Sequence, residues 1–172
     1  PAGRRVVIAG AGGAARAVAA ALLEAGTRSI TVINRTLSRA NRLVADMAEF
    51  AGASELRALP EMYASWAAVM NSCDLLVNCT SVGSRGAEEE SPVPIDLISP
   101  SMLVYDLIYH PAETQLMVAA HRTGASALGG LPMLVYQGVA SFELWTEQKA
   151  PLDIMFEAAR TAAGGELAEK GA

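Results

Sequence analysis

Short, wholly apolar runs alternate with longer runs rich in alanine and leucine along this chain. Residues 4–10 contain the β-branched stretch Val6-Val7-Ile8-Ala9 and predict a buried strand. Residues 14–25 predict a helix, and Gly26 supplies its C-terminal stop. Residues 29–34 (SITVIN) predict a second strand, and Thr36 is a candidate N-cap for a helix reaching about Phe50. A short third strand over 55–58, a helix over 61–71 and a fourth strand over 74–78 (DLLVN) follow. After a loop over 81–94 come a strand at 102–107, a helix at 114–122 and a sixth strand at 125–128. Helices at 131–145 and 151–163 close the pattern, with 164–172 expected to be a flexible tail. Strands alternating with helices imply βαβ units. The expected fold is α/β: a Rossmann-like, doubly wound parallel sheet of about six strands, with C-terminal helices.

The turn after the first strand sharpens this picture. Gly10-Ala11-Gly12-Gly13-Ala14-Ala15 matches G-x-G-x-x-A. Gly10 permits a tight turn, Gly12 clears the approach of a pyrophosphate, and Ala15 lets helix and strand pack closely. The phosphates then meet free N–H groups at a helix N-terminus. The motif is weak alone; its place inside a βαβ unit strengthens it. Residues 1–130 are therefore expected to form a dinucleotide-binding domain. Enzymes using NAD usually end the second strand in a carboxylate that holds the ribose hydroxyls. Here the strand ends in Asn34-Arg35-Thr36, with Arg39 at i+4 from Arg35, and no acid is present. Two guanidinium groups on one helical face suit a phosphate dianion and point to NADP. At roughly 1.5–3 kcal/mol for each charge-assisted bond, the clamp predicts a preference over NAD of about 10²–10⁴-fold.

Composition narrows the class. The chain has 172 residues and a net charge of −5, with no basic run, so a nucleic-acid interface is not expected. No apolar stretch approaches a membrane span. Cys73 and Cys79 form no metal-ligand pattern with the two histidines and are expected to be reduced, buried thiols of a cytoplasmic protein. Glu88-Glu89-Glu90 is expected to be a solvated loop face, so no metal is anticipated. At 52% hydrophobic and 18% charged, the chain is apolar enough to expect a surface covered by a partner.

Four stretches together resemble the nucleotide-binding half of the shikimate/quinate dehydrogenase family. They are GAGGAARA with NRTLSR; Asn78-Cys79-Thr80-Ser81-Val82-Gly83; Asp106-Leu107-Ile108-Tyr109-His110-Pro111 with Thr114; and Gly130 to Gln137 with Phe142 and Trp145. The resemblance implies reversible hydride transfer between NADP and shikimate. It implies pyrophosphate contacts from Gly10, Ala11, Gly12, Gly13 and Ala14, and 2′-phosphate contacts from Asn34, Arg35, Thr36 and Arg39. Thr80, Ser81, Val82 and Leu107 would line the cofactor, and Gly130 and Met133 would lie at the nicotinamide. Tyr109 and Gln137 would reach the substrate; core packing and plain surface exposure are the alternatives for these two and for Met133.

The family's proton-handling Lys and Asp come from a separate N-terminal domain, so no catalytic residue is carried over to this chain. Its two lysines, Lys149 and Lys170, lie outside that motif. The start at Pro1 is expected to be the cut end of a fuller enzyme rather than that of a natural short protein. The helices over 131–163 are then expected to pack on the missing domain, and to self-associate without it. A quinate or related cyclitol acid dehydrogenase is the alternative substrate reading. A non-catalytic NADP-binding module is the alternative of another class. A glutamyl-tRNA reductase-like domain shares GAGG and NRT but not the later stretches. The family often has glycine two residues after the tryptophan, where this chain has Glu147.

Overall fold

In the computed structural model, which describes residues 1–169, the chain begins β1 (Arg5–Ala9), α1 (Gly13–Glu24), β2 (Ser29–Asn34), α2 (Leu37–Met47) and β3 (Glu55–Pro60). It continues α3 (Tyr63–Met70), β4 (Leu75–Asn78), β5 (Leu103–Asp106), α4 (Gln115–Thr123), β6 (Ser126–Leu128), α5 (Leu131–Thr146) and α6 (Leu152–Glu169). The strands form one parallel sheet in the order β3-β2-β1-β4-β5-β6. The order runs outward from β1 in one direction and then restarts beside it with β4. In open α/β sheets a ligand crevice forms at that reversal, outside the carboxyl ends of the strands.

Alternate residues feed two cores. Val6 and Ile8 pack with Ala15, Ala19 and Leu22 of α1 and with Ala40, Leu43 and Met47 of α2. Val7 and Ala9 pack on the other side with Trp66, Val69 and Met70 of α3 and Leu116, Ala119 and Ala120 of α4. The two-residue period of a strand sorts the residues in this way. One half-face stays open. Val104 of β5 is wholly buried on the α4 side. On the opposite side Leu75, Leu103, Tyr105 and Leu128 join Leu22, Pro100 and Met102 along a groove of ≈ 530 Å³. Leu128 there is 52% exposed.

The element pattern is as expected, with local differences. β3 extends past 58 because Leu59 and Pro60 pair with Ile33 and Asn34. A proline is tolerated there because β3 is the sheet's edge. Thr36 occupies the N-cap of α2, but its side chain makes no capping bond. Its carbonyl instead accepts from Asn34 Nδ2 at 2.9 Å. α6 continues past the expected end at 163, through the first part of the expected tail; 170–172 lie outside the described residues.

α5 and α6 pack as a hairpin. Tyr136 and Phe156 meet edge to face with ring centroids 5.6 Å apart. At Gly138 a Cβ would come within 3.0 Å of Met155 Cε, so small size there allows the close crossing. The outer surface leaves Tyr136, Leu144, Trp145 and Ile154 exposed, Trp145 by 80%. Glu147 ends α5 at φ 55°, a left-handed conformation that glycine adopts without Cβ strain. Glu147→Gly is expected to raise stability by about 0.5–1 kcal/mol, after the entropy that glycine gains in the unfolded chain is discounted. Urea unfolding checks this; an unchanged or lower midpoint would mean that Glu147 makes an offsetting contact.

Candidate functional site

The carboxyl ends of β1, β2 and β4 open onto a cleft of ≈ 460 Å³ lined by Gly10, Ala11, Gly12, Asn34, Arg35 and Thr80, among others. Gly10 has φ +101°, and a Cβ there would stand 3.1 Å from both the Cys79 carbonyl oxygen and Thr80 Cγ2. The turn therefore passes directly against the β4 loop. At Gly12 and Gly13 a Cβ would meet nothing within 4 Å, so the outer side of the turn is free for a ligand. No side chain caps α1, and its first turn carries no acid. Its first N–H groups are thus left for an outside acceptor, as anion binding at a helix N-terminus requires.

A buried polar network shapes the next two loops. Asn78 at the end of β4 donates from Nδ2 to Asp106 Oδ1 at 2.9 Å, and Asp106 ends β5. The Ile108 N–H donates to the same oxygen at 3.1 Å, and Thr114 Oγ1 donates to Asp106 Oδ2 at 2.7 Å. Asn78 Oδ1 accepts from the Thr80 N–H at 2.9 Å and from Thr80 Oγ1 at 2.8 Å. Thr80 Oγ1 in turn accepts from the Val82 N–H at 3.1 Å. Burial raises the Asp106 carboxyl above its ordinary value, and the bonds from Thr114, Ile108 and Asn78 oppose that rise. Asn78 and Asp106 are fully buried and Thr114 nearly so. No buried side-chain polar atom among the described residues lacks a partner. Residues 80–82 and 107–109 are held in place from beneath by this network.

Those loops border a second hollow of ≈ 550 Å³, which shares Thr80 and Ser81 with the first. Leu107, Ile108, Leu131, Leu134 and the α6 alanines Ala159, Ala162 and Ala163 form its apolar wall. Ser84, Arg85, Tyr109 and His110 give it a polar side without a carboxylate. The two hollows meet at Thr80–Ser81, so one extended molecule can reach both.

A family model described as Shikimate / quinate 5-dehydrogenase matches residues 2–100, and one described as Shikimate 5′-dehydrogenase C-terminal domain matches residues 130–160. The chain belongs to the shikimate/quinate dehydrogenase family. A shikimate dehydrogenase (NADP(+)) of Moorella thermoacetica is 45% identical over 168 residues, covering 95% of this chain and 55% of that protein. A Listeria monocytogenes shikimate 5-dehydrogenase, solved with shikimate and NAD, superposes with TM-score 0.83 at 28% identity; the match covers 91% of this chain and 56% of that one. The Thermus thermophilus enzyme, solved with NADP(H) and shikimate, gives 0.75 at 40% identity, covering 91% and 54%. The chain spans about half the length of the relatives it matches.

Against that family pattern, the sequence-predicted residues fall into three groups. Gly10, Ala11, Gly12, Asn34, Arg35, Thr80, Ser81 and Val82 line the first cleft, and Gly13 and Ala14 begin α1 beside it. Leu107 and Tyr109 line the second hollow. The rest stand apart. Arg35 precedes the N-cap of α2, so it does not share a helical face with Arg39. The expected i, i+4 clamp is corrected on this point: the helix starts two residues too late for it. Arg39 is exposed in the first turn of α2 and does not line the cleft, and neither does Thr36. Met133 packs against the α1-side core, while Gln137 is exposed on α5. Gly130 lies at the N-cap of α5, where a Cβ would collide with the Leu107 carbonyl.

Sequence reasoning also missed residues. Glu61 and Glu90, both exposed, line the first cleft, a placement that no motif signalled. α6 closes one side of the second hollow, a role with no motif. Cys73 and Cys79 are free, and burial pushes both thiols up to about 12, which leaves them poor nucleophiles. Among the described residues no His/Cys/Asp/Glu group is arranged to hold a metal, and no helix is long and apolar enough to cross a membrane.

Proposed function

We propose that this chain is the NADP-binding portion of a shikimate dehydrogenase. The observation that carries the reading is the glycine turn, open at Gly12 and Gly13, facing Asn34 and Arg35 across one cleft at the β1/β4 reversal. The turn and the uncapped α1 terminus hold the pyrophosphate. Arg35 holds the adenosine 2′-phosphate, and Arg39 adds a longer-range positive charge. Thr80 and Ser81 carry the dinucleotide from the first cleft into the second hollow. NADP, when bound, would supply or take up the hydride exchanged at the carbinol carbon of the substrate. Leu107, Leu131 and Leu134 exclude water from that end, and Tyr109 offers its hydroxyl to the substrate. The groups that manage the proton on the carbinol oxygen come from a separate N-terminal domain, and this chain alone is inactive. The exposed face of Tyr136, Leu144, Trp145 and Ile154 receives that domain. Without the domain, the same face drives self-association, and light scattering that showed a clean monomer at high concentration would count against it. The two free thiols fit a reducing cytoplasm.

Calorimetric titration with NADP and NAD tests the cofactor half. NADP is expected to bind more tightly, and Arg35→Ala to lower its affinity about 10–10²-fold while changing NAD little. Arg39→Ala, outside the cleft, is expected to cost less than tenfold. NAD bound as tightly as NADP, or an unchanged Arg35→Ala, would remove the phosphate role. Adding an N-terminal domain made separately tests the rest: reduction of NADP with shikimate supports the reading, activity with quinate alone moves the substrate, and no activity leaves a non-catalytic NADP-binding module.

A further inference from the structure

The cleft that takes the adenosine end carries one guanidinium, Arg35, against two carboxylates, Glu61 and Glu90. The two acids are not equivalent. Asn34 pairs with Pro60 in the β2–β3 register, so Arg35 and Glu61 are the next residues beyond neighbouring strand ends. Adjacent strands lie about 4.8 Å apart, so the two positions are close neighbours at the edge of the cleft. Glu90 enters from the far side of the cleft, where its carbonyl oxygen stands 3.4 Å from a Cβ built on Gly83. Glu61 is exposed and makes no hydrogen bond or ion pair among the described residues, so its carboxylate is not committed to a partner in the fold.

We propose that Glu61 is a cofactor-specificity residue that repels the 2′-phosphate held by Arg35 and so limits the preference for NADP over NAD. The proposal rests on the NADP reading above. A carboxylate beside a bound dianion raises its free energy, while the uncharged 2′-hydroxyl of NAD meets no such repulsion. Arg35 and Glu61 therefore act in opposition on one phosphate, and the cleft keeps a usable affinity for both dinucleotides.

Calorimetry on the whole chain with NADP and with NAD decides it. Glu61→Gln keeps size and removes charge at an exposed position, so the fold is not at risk. NADP affinity is expected to rise about 3–10-fold at low salt and NAD affinity to stay within about twofold. The gain should shrink as ionic strength rises, which a packing effect would not show. Glu61→Lys is expected to raise NADP affinity further. An unchanged NADP affinity in Glu61→Gln, or an equal gain for NAD, overturns the assignment. Wild-type protein that binds neither dinucleotide overturns the cofactor reading itself, and Glu61 with it.

Discussion

Gly130→Ala is expected to destabilise the protein by about 3 kcal/mol or more, at the upper end of what overpacking costs. Gly130 has φ −80° and ψ −6°, a conformation open to any residue, so backbone preference is not the reason. Space is the reason. An added Cβ would overlap the Leu107 carbonyl and approach the Ile108 carbonyl carbon to 3.0 Å, and both are backbone atoms that cannot rotate away. The Gly130 N–H also donates to the Ile108 carbonyl at 2.9 Å, which pins the start of α5 to the loop after β5. The methyl group would have to push α5 off that loop and open the second hollow. Gly12→Ala is the contrast. Its Cβ would meet nothing within 4 Å, so it should melt with the wild type yet lose dinucleotide affinity. Urea unfolding and calorimetry on both variants separate the two glycines. A Gly130→Ala variant within about 1 kcal/mol of wild type would show that the loop gives way easily.

The second large effect is expected at Asp106. Replacing it by alanine removes the acceptor of three buried donors: Asn78 Nδ2, which keeps only a 3.4 Å bond to the Val82 carbonyl, the Ile108 N–H and Thr114 Oγ1. Each unsatisfied group costs about 1–3 kcal/mol, so a total near 3–5 kcal/mol is expected. Asp106→Asn should recover only part, because its amide would present a donor where Asn78 or Thr114 already donates. Burial raises the native carboxyl above its unfolded value of 3.8. A carboxyl shifted upward contributes stability below the unfolded value and loses it as pH rises through the native one. The gap between wild type and Asp106→Ala should therefore be widest in acid and narrow as pH rises from about 3.8. A gap that instead widens with pH would mean that the three hydrogen bonds outweigh desolvation.

Much of this was legible in the chain because its local signals agree with one another. β-branched runs marked the strands, Gly26 and Gly124 stand just past helix ends, and Gly10 stands where the first turn needs a positive φ. What stayed hidden is what depends on distance in sequence. Residues 78, 106 and 114 form one network only after the sheet has placed β4 beside β5. The signal was present: both strands end an apolar run in a buried polar residue, Asn78 and Asp106. The helical face that Arg35 and Arg39 were expected to share is absent because an i, i+4 spacing aligns two residues only where the helix has already begun. Glu61 was invisible for the opposite reason, since its neighbour Arg35 follows a different strand.

The open half-face beside β4, β5 and β6 has a consequence for how the molecule breathes. β1 and β2 lie between helical layers on both sides, whereas Leu103, Tyr105 and Leu128 border a groove on theirs. β6 adds only Ser126–Leu128 and pairs with β5 alone. Amide protons on β6 and β5 should therefore exchange with solvent well before those of β1, through partial opening rather than global unfolding. The first cleft sits on the slowly exchanging side, while the second hollow is built partly on the loop that follows β5. One domain thus joins a rigid cleft to a softer hollow beside it.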